Sequence, residues 1–166
     1  MTGSSEPQAS AGDPSSIVIT AERPDSPDAL RLILELVAHL QPLYPTASRH
    51  GFSVDRLLAE GVDFFVLRSD GTAAGCGGIL FVGGEYAEIK RMYVNPTYRG
   101  SGFGGHILDY LAEHARARGV ALLRLETGIH QREAIGLYER MGFRRIPPFS
   151  PYENDPLSLC YEKRLD

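Results

Sequence analysis

Hydrophobic positions recur along this chain with two periods, one typical of helices and the other typical of strands. Leu30, Ile33, Val37 and Leu40 lie three or four residues apart and follow a Pro-containing helix start at residues 25–28, which predicts a first helix that ends before Pro42. The same criteria predict helices that begin near residues 53, 103 and 131. Short apolar or β-branched runs predict strands at residues 17–20, 62–67, 73–82, 86–94, 120–126, 143–146 and 157–161.

The order of these elements predicts the fold class. It reads β-α-α-β-β-β-α-β-α-β-β, and turn signals at residues 69–72 and 83–84 join three of the strands into an antiparallel meander. We therefore expect an α+β domain over residues 17–166, with a single mixed, mostly antiparallel central sheet and flanking helices. Residues 1–16 are rich in Ser, Gly, Pro and Ala, so we expect them to form a disordered N-terminal tail.

Composition narrows the class of protein. The 166 residues are 43% hydrophobic and 23% charged, as in one water-soluble globular domain, and no apolar run approaches the roughly 20 residues that cross a bilayer. The net charge of −4 gives no sign of a nucleic-acid-binding surface. Cys76 and Cys160 are lone cysteines and the five histidines show no ligand spacing, so we expect a cytoplasmic protein without a metal site. All but two of the 17 basic residues are Arg, a bias that points to a bacterial source.

A glycine-rich segment, residues 98–105 with the sequence YRGSGFGG, connects a predicted strand to a predicted helix. Glycines let the backbone turn with positive φ and approach a ligand closely. The first N–H groups of a helix lack intrahelical partners and favour anions, and Arg99 adds a positive charge suited to phosphate. We interpret the segment as a pyrophosphate-binding loop.

Two nucleotide motifs are alternatives for this loop. Gly100, Gly102 and Gly105 match the dinucleotide fingerprint G-x-G-x-x-G, and Glu126 follows about 20 residues later. That fingerprint follows an apolar buried strand at once, whereas residues 95–99 intervene here and the strand carries three charged residues. A triphosphate-binding P-loop would need Gly-Lys-Ser/Thr, which is absent from this loop.

The loop also fits the pattern Arg-x-x-Gly-x-Gly, and other segments occur with it in a fixed order. They are EIKRMYVNP at residues 88–96, the Ala-x-x-Leu-Tyr-x-x-x-Gly-Phe part of residues 131–143, and Glu-Lys-x-Leu at residues 162–165. With these segments the chain resembles the GNAT superfamily of acyl-CoA N-acyltransferases over residues 17–165. Gln131 stands where that family often has Asn.

The resemblance implies an N-acetyltransferase fold and acetyl-CoA as the co-substrate, with no metal. In the family, the loop holds the pyrophosphate, the pantetheine arm pairs with the strand before it, and a backbone N–H near Val94 polarises the thioester carbonyl. The residues that the resemblance implies for cofactor binding are Met92, Tyr93, Val94, Arg99, Gly100, Ser101, Gly102, Phe103, Gly104, Gly105 and Gln131.

The resemblance also implies two catalytic side chains. Tyr138 is the Tyr of the Leu-Tyr pair, which in the family points at the cofactor sulfur and can protonate the leaving thiolate. Glu88 lies on the strand beside the acyl group, where the family often has an acidic residue that accepts the amine's proton, directly or through water. Each has a structural alternative, since Tyr138 can be a core tyrosine and Glu88 can be a strand residue paired with Lys90 or Arg91.

The acceptor is less defined by the sequence. Tyr44, Arg49 and His50 lie in the break between the first two helices, which lines the acceptor site in this family, and Arg49 would suit a carboxylate on the substrate unless it is simply solvated. We expect a small-molecule amine as the acceptor, without nucleic-acid or membrane partners. The alternatives are a protein Lys or N-terminal acetyltransferase and a non-catalytic acyl-CoA sensor. Dimers are common in the family, so a homodimer is an alternative to a monomer.

Overall fold

The computed structural model describes residues 16–48 and 53–166, and that part of the chain forms seven strands and four α-helices. The strands are β1 (Ile17–Ala21), β2 (Asp63–Ser69), β3 (Thr72–Val82), β4 (Tyr86–Val94), β5 (Leu122–Gly128), β6 (Arg144–Ile146) and β7 (Ser158–Arg164). The helices are α1 (Pro27–Leu40), α2 (Val54–Glu60), α3 (Phe103–Ala117) and α4 (Arg132–Arg140), with 3₁₀ turns at Thr46–Ser48 and Pro96–Tyr98. The predicted element order and α+β class are confirmed. All of the predicted tail except Ser16 lies outside the described residues.

The largest difference at a strand start is at β5, which begins at Leu122 instead of Val120. Gly119 has a φ of +75° after α3, and the N–H of Val120 donates to the carbonyl oxygen of Ala115 at 3.0 Å. This bond closes the C-terminus of the helix, so Val120 completes α3 and does not start the strand. The strand pattern of Val120 was therefore misread, because its backbone is used by the helix.

The sheet has the strand order β1-β2-β3-β4-β5-β7-β6, and every neighbouring pair is antiparallel except β4 and β5. The parallel pair is short, since β4 pairs with β5 only from Ala87 to Ile89. Among the described residues, the rest of β4, up to Val94, is paired with β3 and not with β5. The two central strands therefore separate and leave a wedge-shaped opening between them.

The backbone of β4 faces this opening with at least one hydrogen-bond donor. Asn95 N–H donates to Ala74 O at 2.8 Å, on the β3 side. Because successive N–H groups of an extended strand point to opposite edges, the N–H of Val94 points towards the opening. A ligand in the opening can accept a hydrogen bond from Val94.

Two apolar cores cover the two faces of the sheet. One lies under α3 and α4 and includes Ile107 and Leu111, and the other lies under α1 and includes Leu32 and Ile33. The glycines of β3 have a packing role here, since a Cβ at Gly77 would lie 2.9 Å from Ile107 Cγ2. The space beside that glycine is therefore used by α3 and not by a ligand.

Candidate active site

The end of β4 that has no β5 partner borders a cleft of about 770 Å³. Its walls are the C-terminal half of β4, the glycine-rich loop, the start of α3 and one face of α4. Met92, Tyr93 and Val94 lie on its β4 side, as the resemblance implied, and Gln131 lies on its α4 side. The cleft is mostly apolar, and most of its polar side chains lie on the glycine-rich loop and on the segment from His130 through α4.

The loop end of the cleft fits a phosphate group. Gly100 and Gly102 have φ values of +85° and +79°, and a Cβ on either would meet nothing within 4 Å. Gly102 caps α3, and the first helical hydrogen bond runs from His106 N–H to Gly102 O at 3.1 Å. The N–H groups of the residues between them therefore have no intrahelical partner. Open space above unbonded N–H groups at a helix start is what a pyrophosphate requires.

The other residues of the loop have different roles. Gly104 makes room for α4, because a Cβ there would lie 2.6 Å from Leu137 Cδ2. Arg99 lines the cleft and forms a 2.8 Å ion pair with Glu133 at the start of α4. Both side chains are solvent-accessible, so this pair contributes little to stability and can exchange for a phosphate. Ser101 is exposed and is not part of the cleft wall.

A second, smaller cavity of about 90 Å³ is lined by β4 and β5 together with α1 and α2, and we call it the acceptor cavity. It shares four wall residues with the cleft, namely Leu36, Met92, Gln131 and Tyr138. The two spaces therefore meet at this wall. A group carried in the cleft can approach a molecule in the acceptor cavity across these four residues.

Tyr138 stands at this junction with a hydroxyl that the described residues leave without a hydrogen-bond partner. Its side chain is 5% exposed and packs edge-on against Phe143. Burial, and then the charge of Glu126, raise the pKa of Tyr138, so the hydroxyl stays protonated near neutral pH. The ring is a core residue, as the structural alternative states, but its hydroxyl still adjoins both spaces.

Glu88 lines the acceptor cavity and is held by two donors. Its Oε2 accepts a 2.8 Å hydrogen bond from the Tyr152 hydroxyl and forms a 2.8 Å ion pair with Lys90 Nζ. Lys90 Nζ also donates to the Tyr152 hydroxyl at 3.4 Å. We call these three residues the Glu88 cluster. The pairing with Lys90 that the structural alternative foresaw is present.

The second carboxylate oxygen of Glu88 is differently placed. Among the described residues, no group donates a hydrogen bond to Oε1. Oε1 is also not one of the fully buried oxygens without a partner, so it is accessible from the cavity. The side chain as a whole is only 5% exposed. A carboxylate fixed through one oxygen and accessible through the other can accept a proton from a group in the cavity.

Gln131 uses much of its amide in the fold. Its Oε1 accepts hydrogen bonds from Gly128 N–H at 2.8 Å and from the Thr127 hydroxyl at 3.1 Å, which closes the turn between β5 and α4. Its NH₂ group is the part left to meet a ligand in either space. The longer side chain, compared with the Asn common in the family, reaches back to this turn.

Tyr44 joins the segment after α1 to the same turn. Its hydroxyl accepts a 3.0 Å hydrogen bond from His130 N–H, and its ring packs so closely that a Cβ on Gly128 would lie 1.9 Å from the hydroxyl. Tyr44 lines the acceptor cavity, as expected. Arg49 and His50 lie outside the described residues.

Two features of this site have no local sequence signal. The contact of Tyr152 with Glu88 spans 64 residues, so no short pattern indicates it. Arg56 lines the acceptor cavity without belonging to any motif. The pairing of Glu88 with Lys90 does have a signal, because side chains two residues apart lie on one face of a strand.

Comparison with known proteins places the chain in a family. Residues 33–143 match the Acetyltransferase (GNAT) family. The chain is 42% identical over 150 residues to an IAA acetyltransferase of Azospirillum brasilense. The alignment covers 90% of this chain and 98% of that protein. This chain belongs to the GNAT acetyltransferase family.

Solved GNAT structures have the same fold. A Klebsiella pneumoniae protein assigned as an acyl-CoA N-acyltransferase superposes with a TM-score of 0.77 at 37% identity, covering 90% of this chain and 98% of the other. A GNAT acetyltransferase of Elizabethkingia anophelis, solved with acetyl-CoA bound, has a TM-score of 0.69 and covers 90% of this chain and 99% of its own. At 19% identity, the second likeness concerns the fold alone.

Family membership confirms the resemblance read from the sequence and identifies the chain as an acetyl-CoA-dependent N-acetyltransferase. The dinucleotide interpretation of the glycine-rich loop is therefore wrong. No helix in the described part of the chain is long and apolar enough to cross a membrane. Within residues 16–48 and 53–166, no three His, Cys, Asp or Glu side chains come together as a metal site would require.

Proposed function

We propose that this GNAT enzyme transfers the acetyl group of acetyl-CoA to a primary amine of a small molecule, by direct attack of the amine in a ternary complex. The supporting observation is the junction of two spaces at Tyr138, with a long cleft on one side and a small cavity with Glu88 on the other. The volume of the acceptor cavity, about 90 Å³, favours a small acceptor over a folded protein surface.

Acetyl-CoA fits the cleft by the open glycine cradle at Gly100 and Gly102 and by the donors on β4. It supplies an acetyl thioester. The backbone of the glycine-rich loop binds its pyrophosphate, and the N–H of Val94 donates to the thioester carbonyl oxygen, where negative charge develops. Met92 and Tyr93 bound the cleft along β4.

Glu88 and Tyr138 move the protons in this proposal. The Oε1 atom of Glu88 accepts a proton from the amine, directly or through a water, while Tyr152 and Lys90 fix the other oxygen. The Tyr138 hydroxyl, kept protonated by burial, donates to the departing sulfur. In this proposal Tyr138, at the junction, is the general acid, and Glu88, in the acceptor cavity, is the general base.

The proposal is tested by incubating the protein with acetyl-CoA and a panel of primary amines. Free thiol release and a mass increase of one acetyl group on an amine would support it. Acetyl-CoA binding with no thiol release on any amine would favour the sensor alternative. Acetylation of a Lys-containing peptide but of no small amine would favour the protein acetyltransferase alternative.

A further inference from the structure

Arg91 occupies an irregular position in β4, next to Glu88 and Lys90. Lys90 pairs with Gly78 and Tyr93 pairs with Cys76, so Arg91 and Met92 together stand opposite one residue of β3. This is a β-bulge, and Arg91 has a φ of +54° within it. Among the described residues, the other non-glycine with positive φ is Asp70, in a hairpin turn. A left-handed residue other than Gly costs roughly 1–2 kcal/mol, and such costs concentrate at functional sites.

The bulge places Arg91 in the wall of the acceptor cavity. The side chain is mostly buried, and this burial lowers the pKa of Arg91 to about 10, although the nearby Tyr152 and Glu126 act in the opposite direction. Desolvation of the cation is therefore only partly offset by the groups around it. An anion that entered the cavity would be attracted to this side chain.

Charges of both signs line the acceptor cavity. Among the described residues its wall has three basic side chains and three acidic ones, which are Arg56, Lys90, Arg91, Glu60, Glu88 and Glu126. Arg56 pairs with Glu60 at 2.7 Å, and Lys90 pairs with Glu88 at 2.8 Å. A wall of mixed charge suits a molecule that carries both an ammonium group and an anion better than a simple amine.

The chemistry of the guanidinium selects the anion. Its five N–H donors lie in a planar fork that matches a carboxylate through two parallel hydrogen bonds, and this number leaves donors for a ligand besides contacts within the protein. Glu88 and Arg91 are three residues apart on β4, so their Cα atoms are at most about 10 Å apart at roughly 3.3 Å per residue. Both side chains can therefore contact one small molecule.

We propose that the acceptor is an amine that also carries a carboxylate, such as an amino acid, and that Arg91 binds this carboxylate while Glu88 faces the amine. This inference rests on the proposed function, since it names the substrate class of the same cavity. It makes Arg91 a specificity-determining residue. In a regular strand the side chains of Lys90 and Arg91 would point to opposite faces of the sheet.

The test compares amino acids with their carboxamides, which have the same shape without the negative charge. L-Phenylalanine and L-phenylalaninamide, L-methionine and L-methioninamide, and glycine and glycinamide are assayed for thiol release with wild type, Arg91→Gly, Arg91→Lys and the surface control Arg116→Ala. Gly accepts the positive φ without strain, so Arg91→Gly removes the guanidinium without distorting the bulge.

We expect wild type to prefer the acid of at least one pair. For that acid, kcat/KM should fall about 10- to 100-fold in Arg91→Gly, the loss expected for a hydrogen bond to a charged group, while the value for its amide should change little. The kcat/KM of Arg91→Lys, which keeps the charge without the planar fork, should lie between the values of wild type and Arg91→Gly. The kcat/KM of Arg116→Ala should match that of wild type. Equal use of acids and amides by wild type, or an equal loss on both in Arg91→Gly, would overturn the inference.

Equilibrium binding separates this inference from the proposed function. The same pairs are titrated calorimetrically into the wild-type protein and Arg91→Gly, both saturated with CoA. If no amine in either assay is acetylated but wild type alone binds the acids, the proposed function fails and the carboxylate site stands. If wild type binds none of the acids more tightly than Arg91→Gly does, the carboxylate site is refuted whatever the turnover.

Discussion

The Tyr152→Phe substitution removes one hydroxyl from the Glu88 cluster and leaves the rest of the side chain in place. Tyr152 is 4% exposed, and its ring keeps the edge-on contact with Phe149, with the ring centroids 5.3 Å apart. The main loss is the 2.8 Å hydrogen bond to Glu88 Oε2, together with the weaker 3.4 Å contact from Lys90 Nζ, which itself remains at 2.8 Å from Glu88 Oε2. A hydrogen bond to a charged group contributes about 1.5–3 kcal/mol, so we expect the free energy of unfolding to fall by about 2 kcal/mol. For a chain of this size that lowers Tm by about 4–8 °C.

The Tyr152 hydroxyl also makes the stability difference between wild type and Tyr152→Phe depend on pH. Burial, and then the charge of Glu88 and the hydrogen bond to it, raise the pKa of Tyr152 above its ordinary value of 10.0. The folded state therefore holds this proton more tightly than the unfolded state does. Its contribution to stability is complete below pH 10 and is lost as the pH rises beyond 10. The stability difference between wild type and Tyr152→Phe should stay constant from pH 7 to 10 and shrink above it.

Urea unfolding of wild type and Tyr152→Phe at several pH values measures this difference, with turnover measured in parallel. Tyr110→Phe is the matched control, because Tyr110 is 37% exposed on α3 and its hydroxyl has no hydrogen-bond partner among the described residues. We expect kcat to fall in Tyr152→Phe and not in Tyr110→Phe, since Glu88 is less firmly held. Equal unfolding free energies for the two variants would refute the reasoning about the cluster.

Three further substitutions test other parts of the site. Tyr138→Phe should lower kcat while the Kd for acetyl-CoA changes little by calorimetry, and wild-type turnover would leave this tyrosine only its structural role. Gly102→Ala should raise the Kd for acetyl-CoA, because Ala at φ +79° costs about 1 kcal/mol and shifts the N–H groups of the loop, and an unchanged Kd would remove the loop from the cofactor site. Gly128→Ala should cost about 1–3 kcal/mol by overpacking against Tyr44. Combined with Tyr44→Ala it should cost less than the sum of the two single changes, and a wild-type Tm for Gly128→Ala would contradict the contact.

The fold was largely predictable because its elements have strong local patterns. The apolar spacing of α1 and α3 and the glycine turns of the meander gave the element order before any coordinates. Boundaries were harder where one residue serves two elements, as Val120 does at the end of α3. The separation of β4 from β5 has no local pattern, since it depends on where a parallel pair ends in three dimensions.

The cofactor-binding part of the site was easier to predict from the sequence than the acceptor cavity, because its residues are contiguous. Residues 98–105 are contiguous, so their glycine pattern and Arg99 can be recognised together. The acceptor cavity gathers side chains from five parts of the chain, and Tyr152 comes from a loop with no motif. The positive φ of Arg91 was also hidden, because Arg is not a residue that predicts such a turn.

The proton-accepting role of Glu88 is the central claim of this account. Glu88→Gln keeps the shape of the side chain and removes the basic oxygen, and Glu113→Gln, exposed on α3, is the control. With a small amine found in the panel, kcat for Glu88→Gln should fall about 10²- to 10⁴-fold, the usual contribution of general base catalysis. Glu113→Gln should keep the wild-type kcat. A Glu88→Gln enzyme that retains the wild-type kcat would contradict the claim.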